Sequence, residues 1–161
     1  MACIVLFTGC AKEETASFSV SNVPVGLEGP LFEGANTAQG DVADALAAIL
    51  KEKGITAEQI SSARLTGLNL TVPDSVNFNM YTGITVQLVS DKTDMIKVGV
   101  INPVPKDQHS IDLSVAGEQD KMLDLLKQTK FTVVTDVNVA ADTSMDVNIQ
   151  ANLKFEIIYK K

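Results

Sequence analysis

An unbroken alternation of apolar and polar residues near the C-terminal end most constrains the fold of this chain. The positions between the apolar ones are polar from Asn148 to Glu156. Successive side chains of a β-strand point to opposite faces of its sheet, so this pattern predicts a long strand with one buried and one wet face. The apolar positions are Val147, Ile149, Ala151, Leu153, Phe155, Ile157 and Tyr159.

Shorter alternations of the same period run through the rest of the chain. Turn residues separate them, and Asp91-Lys92-Thr93-Asp94 between two alternating runs is typical of a hairpin. Gly67 lies inside one run and indicates a β-bulge. Together the alternations predict about seven strands, which we place at 18–25, 64–72, 84–88, 96–100, 111–115, 131–139 and 147–159.

Two segments have helical rather than strand periodicity. Residues 41–53 carry apolar side chains at spacings of three and four, with Asp41 or Thr37 as the N-cap and Gly54 at the C-terminal end. A shorter helix is predicted at about 118–127, with an apolar face of Met122, Leu125 and Leu126. Residues 24–36 are rich in Gly and Pro and are predicted to be a loop.

Strands at short intervals with one inserted amphipathic helix favour a mainly β fold. We expect one antiparallel β-sandwich of immunoglobulin-like type over residues 18–161, which is an ordinary length for one domain. The net charge is −7, with no basic patch in the sequence. This composition argues against nucleic acid as a partner, because contacts to phosphate supply much of that affinity.

The first fourteen residues form a short apolar run that ends in Phe7-Thr8-Gly9-Cys10 and is followed by the charged Lys12-Glu13-Glu14. The run is far shorter than the roughly 20 residues that a membrane-spanning helix needs. It also lacks the basic start of a complete secretory signal, so we expect 1–9 to be the remnant of a longer signal peptide.

This segment resembles the lipobox of bacterial lipoproteins, with small residues at positions 8 and 9 and Phe7 where Leu is commonest. The resemblance implies lipidation of Cys10, a tether over 10–17 and attachment to the membrane through acyl chains. Ala11 implies an outer-membrane location in the bacterial cell envelope. The charged residues after it resemble the export tag of surface lipoproteins of Bacteroidota-type bacteria, some of which carry small immunoglobulin-like domains of unassigned function.

The cysteine content is consistent with an anchor and excludes other roles for thiols. Cys3 and Cys10 are the only cysteines. Cleavage before Cys10 would remove the first and acylate the second, leaving a mature chain without a disulfide or a cysteine metal ligand.

Candidate catalytic residues are few. His109 is the only histidine, with Ser110 and Asp112 close in sequence, but no nucleophile-elbow motif is present and a solvated loop histidine is the simpler interpretation. Several aspartates fall at predicted strand ends and could bind a cation through oxygen, although no loop has the EF-hand pattern. These aspartates are Asp74, Asp91, Asp94, Asp136 and Asp142.

The segment from Ser75 to Tyr81 contains three large side chains between asparagines, namely Phe78, Met80 and Tyr81. We interpret it as a loop packed on the core, with an apolar contact patch for a partner as the alternative.

The sequence therefore predicts a lipid-anchored binding or structural module without catalytic activity, cofactor or metal, whose ligand would be a protein or a glycan. Two alternatives stay open. One is an envelope hydrolase or metal-dependent enzyme that uses His109 or the strand-end aspartates. The other is a fimbrial or pilus-type assembly subunit, in which long edge strands would be exchanged between chains.

Overall fold

The computed structural model describes residues 12–117 and 119–161 of the chain. These residues form nine strands and two short α-helices. The elements are β1 (Glu13–Pro24), β2 (Gly34–Ala43), α1 (Ala47–Lys53), β3 (Ile60–Thr71), β4 (Tyr81–Ser90), β5 (Thr93–Ile101), β6 (Ser110–Asp112), β7 (Ser114–Val115), α2 (Met122–Leu126), β8 (Lys130–Val139) and β9 (Gln150–Lys160).

The strands form two antiparallel sheets that pack face to face. The four-stranded sheet has the order β1-β9-β3-β6, and the five-stranded sheet has the order β2-β8-β4-β5-β7. Buried apolar side chains from both sheets form one continuous core. The prediction of a mainly β, antiparallel sandwich is confirmed, with nine strands where about seven were expected.

The C-terminal alternation is the centre of the four-stranded sheet. Every second residue of β9, from Ala151 to Tyr159, is at most 3% exposed. Pairing in the sheet begins at Gln150. Before it, Val147 exchanges two backbone hydrogen bonds with Leu27, and the Ile149 carbonyl accepts one from the N–H of Val25. The burial of alternate residues therefore continues beyond the strand itself.

Several register shifts interrupt the strands, and two of them bear on the sequence predictions. The predicted bulge at Gly67 is confirmed, since the register of β3 against β9 shifts between Leu65 and Gly67. A second shift, between Val86 and Gln87 of β4, accommodates an extra residue in β5. Because of that extra residue, Val98 and Gly99 are both buried and Val100 turns outward with 41% of its surface exposed. The alternation in the sequence predicts that Val100 is buried, and the bulge makes this prediction wrong.

The helix predicted over 41–53 is shorter than expected. Residues 41–43 belong to β2, where Val42 pairs with Phe131, and α1 covers only Ala47–Lys53. Asp41 and Thr37 are therefore strand residues and not N-caps. The chain leaves β2 at Asp44, whose φ is 46°. At the other end of α1, Gly54 terminates the helix in the left-handed conformation, with φ 64°.

The second helix is also shorter than its predicted span of about 118–127. α2 covers Met122–Leu126, and its apolar face is confirmed because Met122, Leu125 and Leu126 are all buried. The region predicted to be a loop, 24–36, contains the start of β2 at Gly34.

The tether predicted over 10–17 is partly a strand. Residues 13–17 form the first half of β1 and pair with β9, with Glu13 opposite Lys160 and Ser17 opposite Glu156. Ala16 is buried at 6% exposure. The sandwich therefore begins at Glu13 rather than at Phe18, because the C-terminal strand is long enough to pair with this segment.

The sandwich has two unlike ends. The terminal end contains the start of β1, the end of β9, α1, α2 and the tight turn between β4 and β5. The loop end, at the opposite end of the long strands, consists of the four loops 25–33, 72–80, 102–109 and 140–149. Backbone hydrogen bonds join these loops to one another, from Leu31 to Thr143 and from Phe78 to Gln108.

Candidate functional site

The predicted lipidation site, Cys10, lies outside the described residues, as does Cys3. The first described residue is Lys12, whose backbone oxygen accepts a hydrogen bond of 3.2 Å from the N–H of Lys161. The two ends of the domain therefore meet at the terminal end, directly after the predicted anchor.

His109, Ser110 and Asp112 do not converge as a triad. The Nδ1 atom of His109 is hydrogen-bonded to the carbonyl oxygen of Val76, whereas the amide Nδ2 of Asn69 donates to Ser110 Oγ and to Asp112 Oδ1, each at 2.9 Å. Ser110 and Asp112 are thus held by a common amide, and the imidazole contacts a loop carbonyl instead of either of them. Adjacency in sequence does not produce the triad geometry here.

The candidate metal-binding aspartates are dispersed. Asp91 and Asp94 lie at the terminal end, whereas Asp74 and Asp142 lie at the loop end. Asp136 is in the middle of β8, where it accepts hydrogen bonds from Thr37 Oγ1 and Gln87 Nε2. Within 12–117 and 119–161, no group of three or more His, Cys, Asp or Glu side chains is placed to hold a metal ion.

The segment Ser75–Tyr81 divides its large side chains between core and surface. Phe78 and Tyr81 are fully buried and lie with ring centroids 6.1 Å apart, which confirms the interpretation of a loop packed on the core. Burial raises the pKa of the Tyr81 phenol well above its usual value. Val76 and Met80 are only partly buried and remain available at the surface.

These two half-buried residues line a cleft of about 360 Å³ at the loop end. Met145, from the loop between β8 and β9, forms its other wall and is 54% exposed. The complete lining consists of Ser75, Val76, Asn77, Asn79, Met80, Met145 and Val147. The sequence did not indicate Met145, which lies two positions before the alternating run that begins at Val147 and belongs to no predicted element.

Polar contacts between loops hold the cleft in place. The side chain of Asn79 donates to Asp107 Oδ1 at 2.8 Å and accepts from the Asp107 N–H at 2.7 Å. Lys106 Nζ donates to the Asn79 carbonyl at 2.9 Å. Next to Met145 in the chain, Asp146 Oδ1 accepts the N–H of Gly29 at 2.7 Å. The cleft is therefore preformed by the fold.

Charge is unevenly distributed between the two ends. The four loops of the loop end carry one basic residue, Lys106, and a net charge of −5, out of −7 for the whole chain. The six carboxylates there belong to Glu28, Glu33, Asp74, Asp107, Asp142 and Asp146. The loop end is thus an acidic surface with an apolar cleft in it.

The terminal end contains most of the basic side chains and three of the ion pairs. Hydrogen bonds from Lys130 and Thr132 lower the pKa of the Asp41 carboxyl, and Lys121 lowers that of Asp94. Nine of the 13 basic residues lie there, alongside a similar number of acidic ones. These nine are Lys12, Lys51, Lys53, Lys92, Lys121, Lys127, Lys130, Lys160 and Lys161.

A second cleft, of about 510 Å³, lies beside β5 near the terminal end. Its lining includes Met95, Lys97 and Asp120, together with Lys121, which is paired with Asp94. The loop-end cleft is the better candidate site, because apolar side chains dominate its lining and its position coincides with the concentration of charge.

Comparisons with known proteins leave the chain without an assigned family. No family model and no curated protein match it. Among solved structures, a chain of Desmodium yellow mottle tymovirus is similar over 100% of this chain and 96% of that chain, at 12% identity and a TM-score of 0.35. A likeness this weak carries no argument. In the part of the chain that the structure describes, no helix is long and apolar enough to cross a membrane.

Proposed function

We propose that this protein is a lipid-anchored module of the bacterial outer membrane, which holds the loop end away from the bilayer to bind a protein or glycan ligand. The observation that carries the proposal is the position of the loop end relative to the start of β1. The loop end and Glu13 lie at opposite ends of the sandwich. Twelve residues of β1 separate them, roughly 35–40 Å of extended chain.

The spacing after Cys10 supports a close attachment. Only Ala11 and Lys12 separate Cys10 from the first residue of β1, and an extended chain covers about 10 Å over that stretch. Acyl chains on Cys10 would therefore hold the terminal end at the membrane surface. The acidic loop end would be repelled by anionic headgroups, which favours the same orientation.

The anchor is tested by lipid analysis of the native protein. We expect the wild-type protein in the membrane fraction, with a mass that corresponds to a chain beginning at acylated Cys10. The Cys10→Ala variant should be recovered without acyl chains and outside the membrane fraction. A Cys10→Ala variant that stays membrane-bound, or a mature protein that begins at Met1, would contradict the proposal.

The orientation is tested with two single thiols in the processed protein, which has no other free cysteine. Thr15→Cys places a probe near the terminal end, and Ser144→Cys places one at the loop end; both residues are exposed. A fluorophore at position 15 should be quenched by spin-labelled lipid headgroups, whereas one at position 144 should not. Equal quenching at both positions would show that the domain does not project its loops from the bilayer.

A second candidate, an assembly subunit, is favoured by one observation. β1 and β2 are long strands at the edges of their sheets, and unpaired edges are templates for pairing with another chain. Ser17→Lys adds a charge to the edge of β1 opposite Glu156, so the fold is kept while edge pairing is discouraged. Loss of an oligomer in light scattering would support assembly through β1, and a wild-type monomer at all concentrations would contradict it.

A further inference from the structure

We infer that the loop-end cleft binds a basic peptide segment with an apolar anchor residue, contributed by a different protein of the cell envelope. The inference rests on the proposed function for where the partner is met. The binding chemistry follows from the cleft itself.

The apolar part of the site consists of side chains that the core leaves uncovered. Met145 is 54% exposed, and Val76 and Met80 are only partly buried beside it. Phe32 does not line the cleft, but it is 65% exposed in the loop 25–33, which is hydrogen-bonded to the loop of Met145. Methionine is flexible and polarizable, so a cleft with two methionines adapts to the shape of an aliphatic or aromatic side chain.

The polar part of the site selects positive charge. Asp74 and Asp146 are adjacent in sequence to the lining residues Ser75 and Met145, and Asp107 is hydrogen-bonded to the lining residue Asn79. Lys106, the one basic residue in the four loops, also lies at this rim, where its Nζ donates to the Asn79 carbonyl, so these three aspartates and Lys106 leave the rim with a net charge of −2. An apolar side chain flanked by lysine or arginine therefore matches both the cleft and its rim.

The same charges argue against a second copy of this chain as the occupant. Copies anchored in one membrane would hold their acidic loop ends at the same distance from the bilayer. Contact between two such loop ends is unfavourable because like charges repel. The cleft is also preformed by the bonds of Asn79 with Asp107 and of Gly29 with Asp146, which reduces the ordering that binding requires. We therefore assign the site to a different protein.

Methyl NMR of methionine tests the inference directly on the full-length chain carrying Cys10→Ala. The probe is a short peptide of alternating lysine and leucine. Its addition should shift the methyl signals of Met80 and Met145, which line the cleft. Met95 is 51% exposed outside the loop end, and Met122 is fully buried, so the two serve as internal controls.

The peptide itself supplies further controls. Replacing its lysines with glutamate should abolish the shifts, and replacing its leucines with serine should weaken binding roughly tenfold, because the apolar contact is lost. Higher salt should weaken binding of the lysine–leucine peptide, because salt screens the contacts of lysine with the carboxylates. The peptide with leucine should still bind more tightly than the peptide with serine in its place.

Matched variants separate charge from structure. Asp146→Asn and Asp107→Asn keep the oxygen that accepts from Gly29 and from Asn79, and asparagine tolerates the φ of 56° at position 107. Each should weaken binding about two- to fivefold. Asp91→Asn, in the turn at the terminal end, should leave it unchanged.

Three results would overturn the inference: no methyl shift, an equal shift of Met95, or shifts of Met80 and Met145 that depend on protein concentration without peptide. The last result would identify a second copy as the occupant. Because the measurement needs no membrane, its failure is distinguishable from failure of the proposed function, which would appear as Cys10→Ala protein that remains membrane-bound.

Discussion

Gly40 of β2 and Pro24 of β1 bring the two sheets into direct backbone contact. A β-carbon at position 40 would lie 2.1 Å from the carbonyl oxygen of Pro24, far inside the distance that real atoms allow. The edge strands of the two sheets converge at this point, close to where β1 leads into the loop end. The hydrogen bonds from Val25 to Ile149 and from Leu27 to Val147 follow immediately.

We therefore expect Gly40→Ala to destabilise the domain by about 2–3 kcal/mol, because backbone rather than a flexible side chain must move. Gly67→Ala is the matched control. Its β-carbon would meet only the side chain of Lys154, at 3.4 Å or more, so little change is expected. Urea unfolding of both variants measures the difference, and equal midpoints would contradict the role of the close approach.

Thr135 is a buried residue whose hydroxyl has no hydrogen-bond partner within the described structure. Thr135→Val keeps the shape and removes the unpaired hydroxyl, so we expect the variant to be more stable by about 1 kcal/mol. Thr132→Val in the same strand is the control. The Thr132 hydroxyl donates to Asp41 Oδ1 at 2.7 Å, so its removal should lower stability. Calorimetry should show a higher melting temperature for the first variant and a lower one for the second.

The segment first interpreted as a tether contributes to stability. Ala16 faces the core, so Ala16→Asp buries an unpaired charge, and we expect a loss of about 3 kcal/mol or unfolding. Ser19→Asp, on the solvent face of the same strand and opposite Lys154, should change stability by less than about 0.5 kcal/mol. If circular dichroism melts showed both substitutions to be equally harmless, residues 13–17 would be a tether after all.

The loss of folding stability at acidic pH should depend in part on Asp41. Its pKa is lowered in the folded protein, first by the hydrogen bond from Lys130 at 2.7 Å and then by that from Thr132. A lowered folded pKa means that the contribution is present above the ordinary value of 3.8 and is lost as the pH falls through the folded value. The effect is small because the pair is exposed.

Urea midpoints measured from about pH 6 down to about pH 2 should therefore fall less steeply for Asp41→Asn than for the wild type. Asp74→Asn, in a loop at the opposite end, should retain the wild-type slope. If Asp41→Asn showed the full wild-type slope, the ion pair would not be the source of the acid sensitivity.

Most strands were predictable because their alternation is local and uninterrupted, whereas β2 (Gly34–Ala43) was not predicted as a strand. The β4–β5 hairpin and the burial of β9 follow from the period of two, and the left-handed Gly54 follows from the helix end that it closes. The helix start was not predictable from the same evidence. Val42 is buried equally well on a helix face or on a strand, and only its pairing with Phe131 decides for the strand.

The candidate cleft was predictable only in part. The sequence indicated the segment Ser75–Tyr81, but not which of its side chains would remain exposed. Met145 comes from a loop that is about 70 residues away in sequence, and no local pattern links it to Met80. The triad suggested by the spacing of His109, Ser110 and Asp112 failed for a related reason, since local spacing does not determine which partners a loop finds.

The sequence by itself determined the secondary-structure period, the sandwich class and the acidic net charge, because these depend on composition and on neighbouring residues. It also contained the lipobox-like segment, on which the proposed anchor depends. Only the tertiary structure decided that residues 13–17 pair with β9, that a bulge turns Val100 to solvent and that four loops meet at the end opposite Glu13. These features arise from pairing between distant segments, whose partners and register are selected by the packing of the whole core.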